Sequence, residues 1–121
     1  MALILVVDDS SVVRADVSKF FNEHGIDVLT ANDGKDGLDK LKENPGIKLV
    51  FADINMPIMD GLTMVEKMKS ELKTNAVIFM LTTENNAAMK TRGKAAGVKG
   101  WMVKPFDGNN ILAPVKKIIG V

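Results

Sequence analysis

Polar and charged residues follow four of the five short apolar runs in this sequence. Two carboxylates, Asp8 and Asp9, follow the first run, Asp53 the third, Thr82 the fourth and Lys104 the fifth. Aspartate oxygens suit hard divalent cations, and an aspartate can also be a nucleophile that forms an aspartyl phosphate. Phosphoryl transfer needs charge neutralisation and in-line positioning, which a metal ion, a lysine ammonium and a threonine hydroxyl can supply. The residue types therefore favour phosphoryl transfer at a metal-bearing site.

The order of the apolar runs predicts the elements that position these residues. The runs are LILVV (3–7), IDVLT (26–30), KLVFA (48–52), VIFML (77–81) and WMV (101–103). They are rich in Val, Ile and Phe, which is typical of strands, and amphipathic segments with helical spacing follow each of them. This alternation predicts an α/β fold, in which helices cover both faces of a doubly wound, five-stranded parallel sheet. We expect residues 1–121 to form a single domain.

Helix ends are indicated by capping residues and by proline. Ser10, Asn86 and Asn110 are expected N-caps, because short polar side chains accept hydrogen bonds from the first turn of a helix. Pro114 is then expected in the first turn of the last helix, where proline is tolerated. Gly93 falls inside the fourth helix and is expected to cost about 1 kcal/mol relative to alanine.

The carboxyl ends of parallel strands share one edge of the sheet, and ligands bind at that edge beside the point where strand order reverses. Residues that follow the strands are therefore expected to meet there. Three carboxylates at short range repel one another, and one lysine cannot neutralise them. Either one carboxyl group holds a proton or a divalent cation lies among them, and Mg²⁺, with Mn²⁺ as an alternative, is the simpler answer. Each residue alone has a structural explanation as a turn former or strand end, so the prediction rests on the joint pattern.

Composition excludes several other classes of site. The chain has 121 residues, 46% of them hydrophobic, with no cysteine and one histidine, His24. Disulfides, thiolate zinc sites, iron–sulfur clusters and cysteine nucleophiles are excluded, so any metal must be held by oxygen. The net charge of +1 predicts no general attraction to nucleic acid or membranes. No basic leader and no membrane-length apolar run is present, so we expect a cytoplasmic protein without membrane insertion.

Four segments resemble the receiver domain of two-component response regulators, and in particular its stand-alone chemotaxis type. They are LILVVDDSSVVR, DINMPIMDG, MLTTEN and KPF, which occur in the family's order and at its spacing. The resemblance covers essentially all 121 residues. It implies a flavodoxin-like (βα)5 fold with strand order 2-1-3-4-5.

The resemblance also implies a role for each residue at the predicted edge. Asp53 matches the phosphoacceptor. Asp8 and Asp9 match the acidic pair that binds Mg²⁺ together with Asp53 and the backbone carbonyl of Asn55. The phosphoryl donor would be a phosphohistidine on a histidine kinase or a histidine phosphotransfer protein.

Two further residues match groups that contact the phosphoryl oxygens in this family. They are the hydroxyl of Thr82 and the ammonium of Lys104. The protein would then catalyse its own phosphorylation and dephosphorylation without being a metabolic enzyme. Lys104 precedes Pro105, at a bond that is often cis in this family.

Several positions match residues that, in this family, either change rotamer on phosphorylation or set the lifetime of the phosphoryl group. Trp101 stands where tyrosine or phenylalanine usually forms a rotameric switch with the threonine, here Thr82, and we expect its larger ring to move less freely. Asn55, Thr83 and Glu84 occupy positions that tune self-dephosphorylation in the family.

The partner-binding surface implied by the resemblance is formed by the fourth helix, fifth strand and fifth helix. Its candidate contact residues here are Lys90, Arg92, Lys94, Lys99 and Trp101. The basic residues would meet an acidic partner or kinase segment. The downstream partner is expected to be a protein rather than nucleic acid, and the chain is expected to be a monomer.

Three alternatives remain open from the sequence. One is a magnesium-dependent phosphatase of the haloacid dehalogenase type, which also uses an aspartate nucleophile but expects a second acid where this chain has Asn55. Another is a pseudo-receiver that acts as an unphosphorylated scaffold. The third is a flavodoxin, which the acids after the first strand disfavour because a phosphate-cradling loop is needed there.

Overall fold

The computed structural model describes residues 2–121 as alternating strands and helices. The strands are β1 (Ile4–Val7), β2 (Val28–Ala31), β3 (Leu49–Ala52), β4 (Val77–Thr82) and β5 (Gly100–Val103). The helices are α1 (Ser11–Glu23), α2 (Gly34–Glu43), α3 (Gly61–Lys67), α4 (Ala87–Ala95) and α5 (Gly108–Ile119). A π-helical turn, Met68–Leu72, continues α3. All five predicted strands are present, and no strand end differs from the prediction by more than two residues.

The five strands form one parallel sheet in the order β2-β1-β3-β4-β5. β1 pairs with β2 on one side and with β3 on the other, so strand order reverses between β1 and β3. Register places Val7 opposite Ala52, and Ala52 opposite Met80. The residues that follow Val7 and Ala52, Asp8 and Asp53, are therefore neighbours at the carboxyl edge. The predicted fold class and strand order are confirmed.

Side chains that alternate along the strands fill two cores, one on each face of the sheet. Leu5 and Val7 face α2, α3 and α4, whereas Ile4 and Val6 face α1 and α5. Every residue of β1 and β3 is buried, as expected for central strands of a covered parallel sheet. β2 is partly exposed, which fits its place at the edge. These buried strands give the carboxyl edge a rigid base.

Helix α5 begins earlier than predicted. The sequence predicted Asn110 as the N-cap, but the helix starts at Gly108 after Asp107, and the Asn110 side-chain amide donates to the Asp107 carboxylate at 2.7 Å. The Asn110 side chain therefore acts inside the first turn, and the glycine at the helix start leaves room for the Phe20 ring, which would lie 2.6 Å from a Cβ on Gly108. Pro114 is consequently the seventh helical residue, and its predicted place in the first turn is wrong.

The other two predicted N-caps are confirmed. Ser10 accepts a hydrogen bond from the Val13 amide, and Asn86 accepts from the amides of Ala88 and Met89. Among residues 2–121, no helix has the length and apolar character needed to cross a membrane.

Candidate functional site

A lysine ammonium lies between two carboxylates at the reversal of strand order. Lys104 Nζ is 3.0 Å from Asp8 Oδ2 and 3.0 Å from Asp53 Oδ2. Asp8 follows β1, Asp53 follows β3 and Lys104 follows β5, so three strands contribute to this ion-paired group. The two carboxylates are almost fully buried, with exposures of 1% for Asp8 and 7% for Asp53. Low solvent exposure strengthens the attraction among these charges.

Backbone amides hold the second oxygen of each buried carboxylate. The amide of Ser10 donates to Asp8 Oδ1 at 2.9 Å, and the amide of Ile54 donates to Asp53 Oδ1 at 2.7 Å. Each carboxylate is thus fixed by one backbone donor and by Lys104. This arrangement sets the orientation of both side chains before any ligand binds.

The exposed carboxylate of Asp9 completes an acidic cluster. One carboxylate oxygen from each of Asp8, Asp9 and Asp53 lies within 4.8 Å of the others. Oxygen ligands of octahedral Mg²⁺ lie about 2.1 Å from the ion and thus up to about 4.2 Å apart, so small side-chain movements would close the cluster around one ion. An all-oxygen donor set fits Mg²⁺ and does not favour zinc or copper.

Burial and ion pairing shift two pKa values in this group. Burial raises the pKa of Asp8 above its ordinary value of 3.8, with a further upward contribution from the Asp53 charge. Burial alone would lower the pKa of Lys104, but hydrogen bonds from its ammonium to Asp8 and Asp53 outweigh it and raise that pKa. The lysine therefore stays charged beside the two buried carboxylates.

The loop between β3 and α3 is fixed by close backbone contacts. The Gly61 amide donates to the Ile54 carbonyl at 2.9 Å, and a Cβ on Gly61 would lie only 1.8 Å from the Asp53 carbonyl oxygen. Asp60 caps α3 by accepting hydrogen bonds from the amide and the hydroxyl of Thr63. Asn55 lies in this loop with an exposed side chain. The loop positions the Asp53 backbone with no room for a side chain at residue 61.

A different set of contacts surrounds Thr82 at the end of β4. The Thr82 side chain is fully buried, and its Oγ1 accepts a hydrogen bond from the Glu84 amide at 3.2 Å. The Glu84 carboxylate accepts from the Asn55 side-chain amide at 2.7 Å, and the Glu84 carbonyl accepts from Trp101 Nε1 at 2.9 Å. Glu84 thus joins the β3–α3 loop, the end of β4 and the side chain of Trp101. Thr83 is exposed beside it.

The half-buried ring of Trp101 packs against Gly93 in α4. A Cβ on Gly93 would lie 3.1 Å from the ring edge at Cζ3, which is tight for an ordinary contact. Gly93 is therefore expected to destabilise α4, but its lack of a side chain leaves room for the tryptophan ring.

The predicted basic surface of α4 is only partly available to a partner. Lys90, Lys94 and Lys99 are exposed. Arg92 instead makes two hydrogen bonds to the Glu66 carboxylate, at 2.6 and 3.0 Å. These hydrogen bonds outweigh slight burial and lower the pKa of Glu66 while raising that of Arg92. Arg92 therefore links α4 to α3.

The contacts by which four residues shape the site were not predicted from the sequence. Gly61 and Asp60 fix the β3–α3 loop, Ser10 donates its amide to Asp8, and Arg14 Nη1 donates to the Asp8 carbonyl at 2.7 Å. The dipeptide Asp60-Gly61 before a helix carries a cap signal. The contact of Arg14 depends on how α1 packs and has no local signal.

Comparison with known proteins identifies the family. The family model described as "Response regulator receiver domain" matches residues 4–116. The chain belongs to the response regulator receiver domain family. Receiver domains of this family bind Mg²⁺ at their acidic pocket, which corresponds to the Asp8, Asp9 and Asp53 cluster here.

Similar receivers include chemotaxis proteins. The chain is 35% identical over 119 residues to the chemotaxis protein CheY1 of Helicobacter pylori, covering 97% of this chain and 96% of that protein. The chemotaxis protein CheY4 of Vibrio cholerae has a solved structure with a TM-score of 0.84 and 38% identity, with 98% of each chain covered. A CheX–CheY–BeF3–Mg²⁺ complex from Borrelia burgdorferi contains a chain with a TM-score of 0.84 and 30% identity, covering 95% of this chain and 87% of that one.

Lys104 and Pro105 are joined by a cis peptide bond, as the family resemblance implied. The predicted receiver family and fold are thus confirmed, whereas the roles of individual residues remain predictions.

Proposed function

We propose that this receiver is a phosphorylation-dependent switch of a chemotaxis-type two-component system, with Asp53 as the phosphoacceptor. The observation that carries the proposal is the Asp53 carboxylate, which is 7% exposed and lies 3.0 Å from Lys104 Nζ within the three-carboxylate cluster. A nucleophile in a buried, charge-compensated setting is what phosphoryl transfer through an aspartyl phosphate requires.

The donor is a phosphohistidine on a histidine kinase or a histidine phosphotransfer protein. An Asp53 carboxylate oxygen forms a bond to phosphorus as the phosphorus–nitrogen bond to the donor imidazole breaks. The electron pair of that bond stays on the imidazole nitrogen, and the product is an acyl phosphate on Asp53. No oxidant or reductant is needed.

Groups around Asp53 can bind the phosphoryl oxygens and neutralise their negative charge. Lys104 already donates a hydrogen bond to the Asp53 carboxylate and can donate to one phosphoryl oxygen after transfer. Because the Thr82 hydroxyl oxygen accepts a hydrogen bond from the Glu84 amide, the hydroxyl hydrogen can be donated to another phosphoryl oxygen. Mg²⁺ held by Asp8, Asp9, Asp53 and the Asn55 carbonyl, or Mn²⁺ in its place, would neutralise negative charge on the phosphoryl group.

The output of the switch is a change in the surface formed by α4, β5 and α5. Glu84 connects the acceptor loop to Trp101, whose ring packs on Gly93 of α4. A phosphoryl group beside Asn55 and Thr82 would compete for the groups that now hold Glu84. The basic residues Lys90, Lys94 and Lys99 would then take part in binding a protein partner. The protein would act in the cytoplasm, where kinases obtain ATP. It would act there as a monomer.

The test is the intact mass of the protein after incubation with Mg²⁺ and acetyl phosphate. We expect one added phosphoryl group in the wild type, none in Asp53→Asn, and one in the control Asp16→Asn, whose residue is exposed on α1. An equal added mass in the wild type and in Asp53→Asn would contradict the assignment of Asp53 as the phosphoacceptor. Sustained hydrolysis of phosphate esters would contradict the switch and favour the phosphatase alternative.

A further inference from the structure

A cavity of about 850 Å³ lies at the amino edge of the sheet, opposite the acidic site. Its walls are formed by residues that precede β3 and β4 and by the ends of α2, the π-helical turn and α5. Small-molecule sites have volumes of about 300–1,000 Å³, so the size suits one ligand. None of the residues assigned to phosphoryl transfer lines this cavity. A ligand bound here would therefore be separate from the proposed function.

Apolar side chains from both cores meet at the walls of the cavity. Leu41 and Ile47 are buried members of the core on one face of the sheet, and Leu72 packs against the same core. Val77 and Ile118 pack against the core on the other face. The last three side chains remain half-buried. An apolar ligand body placed here would cover them.

Three exposed lysines line the same cavity. They are Lys42, Lys48 and Lys73. Within the described part of the chain, Glu71 is the only acidic residue that lines it, and its carboxylate is already 3.8 Å from the Lys67 ammonium. Among residues 2–121, Lys42 and Lys73 have no ion-pair partner. The cavity thus combines apolar walls with unpaired positive charge.

The backbone at Lys73 adopts a conformation that favours glycine. Its φ of 50° and ψ of 35° lie in the left-handed region, directly after the π-helical turn Met68–Leu72. Glycine is the usual residue in this conformation at a helix end, with asparagine as the second choice. The Thr74 hydroxyl oxygen accepts a hydrogen bond from the Ala76 amide at 3.2 Å, which holds the chain that follows. Local backbone preference therefore does not explain a lysine on this wall.

Helix dipoles explain part of this charge but not all of it. Lys42 in the last turn of α2 and Lys73 after the π-helical turn lie near helix carboxyl ends, where cations are favourable. Lys48 belongs to no helix, and its carbonyl accepts a hydrogen bond from the Val77 amide at 2.9 Å, which fixes its backbone to the start of β4. The Lys48 ammonium lies 3.5 Å from the Ile119 carbonyl, which is long for a hydrogen bond. Charge balance at helix ends also needs no apolar cavity beside the lysines.

We infer that this cavity binds a small amphipathic anion, with an aromatic or branched aliphatic body and a carboxylate, sulfonate or phosphate group. The body packs on Leu72 and Ile118, and the anionic group pairs with Lys48 and Lys73. Partial burial by the ligand strengthens these ion pairs relative to fully exposed ones. A simple inorganic anion lacks the body and an uncharged apolar molecule lacks the ion pairs, so both should bind more weakly. The site is independent of Asp53 and of its phosphorylation.

The test uses two fluorescent probes that share one aromatic body. Anilinonaphthalene sulfonate carries a negative charge, and phenylnaphthylamine is its uncharged counterpart. We expect saturable binding of anilinonaphthalene sulfonate by the wild type, and about tenfold weaker binding by Lys48→Gln/Lys73→Gln, which lacks two ion-pairing charges. Binding of phenylnaphthylamine should be equal in these two proteins. The control Lys19→Gln/Lys116→Gln removes two exposed lysines that do not line the cavity, and it should bind both probes like the wild type.

Two further measurements locate the probe on the protein. Leu72→Asn removes part of the apolar wall and should weaken the binding of both probes by about tenfold. In amide NMR spectra of the wild type, anilinonaphthalene sulfonate should shift the signals of Lys73 and Asn75, which line the cavity, and not those of Asp9 and Asn55. Shifts confined to the acidic edge would place the probe elsewhere and overturn the inference.

Several other outcomes would overturn the inference. Absence of saturable binding by the wild type would do so, and so would equal anilinonaphthalene sulfonate binding by the wild type and Lys48→Gln/Lys73→Gln. If the wild type binds no probe and the lysine variant has a lower Tm, the lysines only balance helix dipoles. Displacement of the probe by hexaglutamate, which has no apolar body, would assign the lysines to an acidic protein segment. A wild type that binds the probe but accepts no phosphate from acetyl phosphate would overturn the proposed function and leave this site in place.

Discussion

The β3–α3 loop and the β4–α4 loop leave the same edge of the sheet but are held in different ways. The first is fixed by backbone contacts, in which Gly61 approaches the Asp53 carbonyl with no room for a Cβ and its amide bonds to Ile54. The second depends on one residue, Glu84, whose amide, carbonyl and carboxylate each bond to a different partner.

The difference separates a fixed part of the site from an adjustable one. Close backbone contacts can change only if the chain moves, whereas the partners of Glu84 include an exposed side chain and a half-buried ring. The acceptor loop therefore keeps Asp53 in place while the β4–α4 loop can rearrange when the charge near Asp53 changes.

Substitution of Gly61 by alanine should have the largest effect on stability, because it disrupts the close backbone contact in the fixed loop. The added Cβ would lie 1.8 Å from the Asp53 carbonyl oxygen, so the backbone must shift. We expect the free energy of unfolding to fall by about 3 kcal/mol or more, as for severe overpacking. Urea unfolding measures this. A neutral or stabilising result would show that the loop is not fixed by this contact.

Replacement of Lys104 by methionine should have the next largest effect in metal-free buffer. It leaves the carboxylates of Asp8 and Asp53 buried near each other without their ammonium, which we expect to cost about 2 kcal/mol. Saturating Mg²⁺ should recover part of this loss, since a cation can take over the neutralisation. The exposed Lys99→Met is the control and should change stability by less than about 0.5 kcal/mol. A Lys104→Met protein as stable as wild type without Mg²⁺ would contradict the electrostatic account.

Asp60→Ala removes the cap of α3 and should cost about 1 kcal/mol at neutral pH. Burial alone would raise the pKa of Asp60, but hydrogen bonds from Thr63 and the Arg92 charge lower it below its ordinary value of 3.8. A lowered pKa means that this carboxylate stabilises the fold above pH 3.8 and that the contribution is lost as pH falls through the lowered pKa. The difference between wild type and Asp60→Ala in urea unfolding should therefore shrink at acid pH. A difference that grows on acidification would contradict this sign.

Gly93→Ala should have the smallest effect, because it acts on the adjustable side. Its Cβ would press on the edge of the Trp101 ring at 3.1 Å, while alanine favours the helix by about 1 kcal/mol. We expect the two contributions to leave stability within about 1 kcal/mol of wild type and to shift the fluorescence of Trp101, the only tryptophan. A loss as large as that in Gly61→Ala would show that the two regions do not differ in rigidity.

Local patterns predicted the elements of the fold, and long-range packing determined what they missed. The apolar runs identified all five strands, and short polar side chains identified the caps at Ser10 and Asn86. The cap signal at Asn110 failed because α5 already begins at Gly108, whose lack of a side chain leaves room for the Phe20 ring.

The site was predictable to the extent that strand ends share one edge. That rule, with the family resemblance, brought together Asp8, Asp53 and Lys104. The three contacts of Glu84 depend on loops whose paths are set by distant residues, so no sequence spacing indicates them.

The most direct test of the account is the fluorescence of Trp101 as Mg²⁺ and then beryllofluoride, a phosphoryl analogue, are added. If Asp53 occupancy is transmitted through Glu84, the wild type should respond to beryllofluoride in the presence of Mg²⁺. Asp53→Asn should give no such response. An identical response in Asp53→Asn, or none in a wild type shown by mass to accept phosphate, would contradict coupling between the fixed acceptor loop and the adjustable loop.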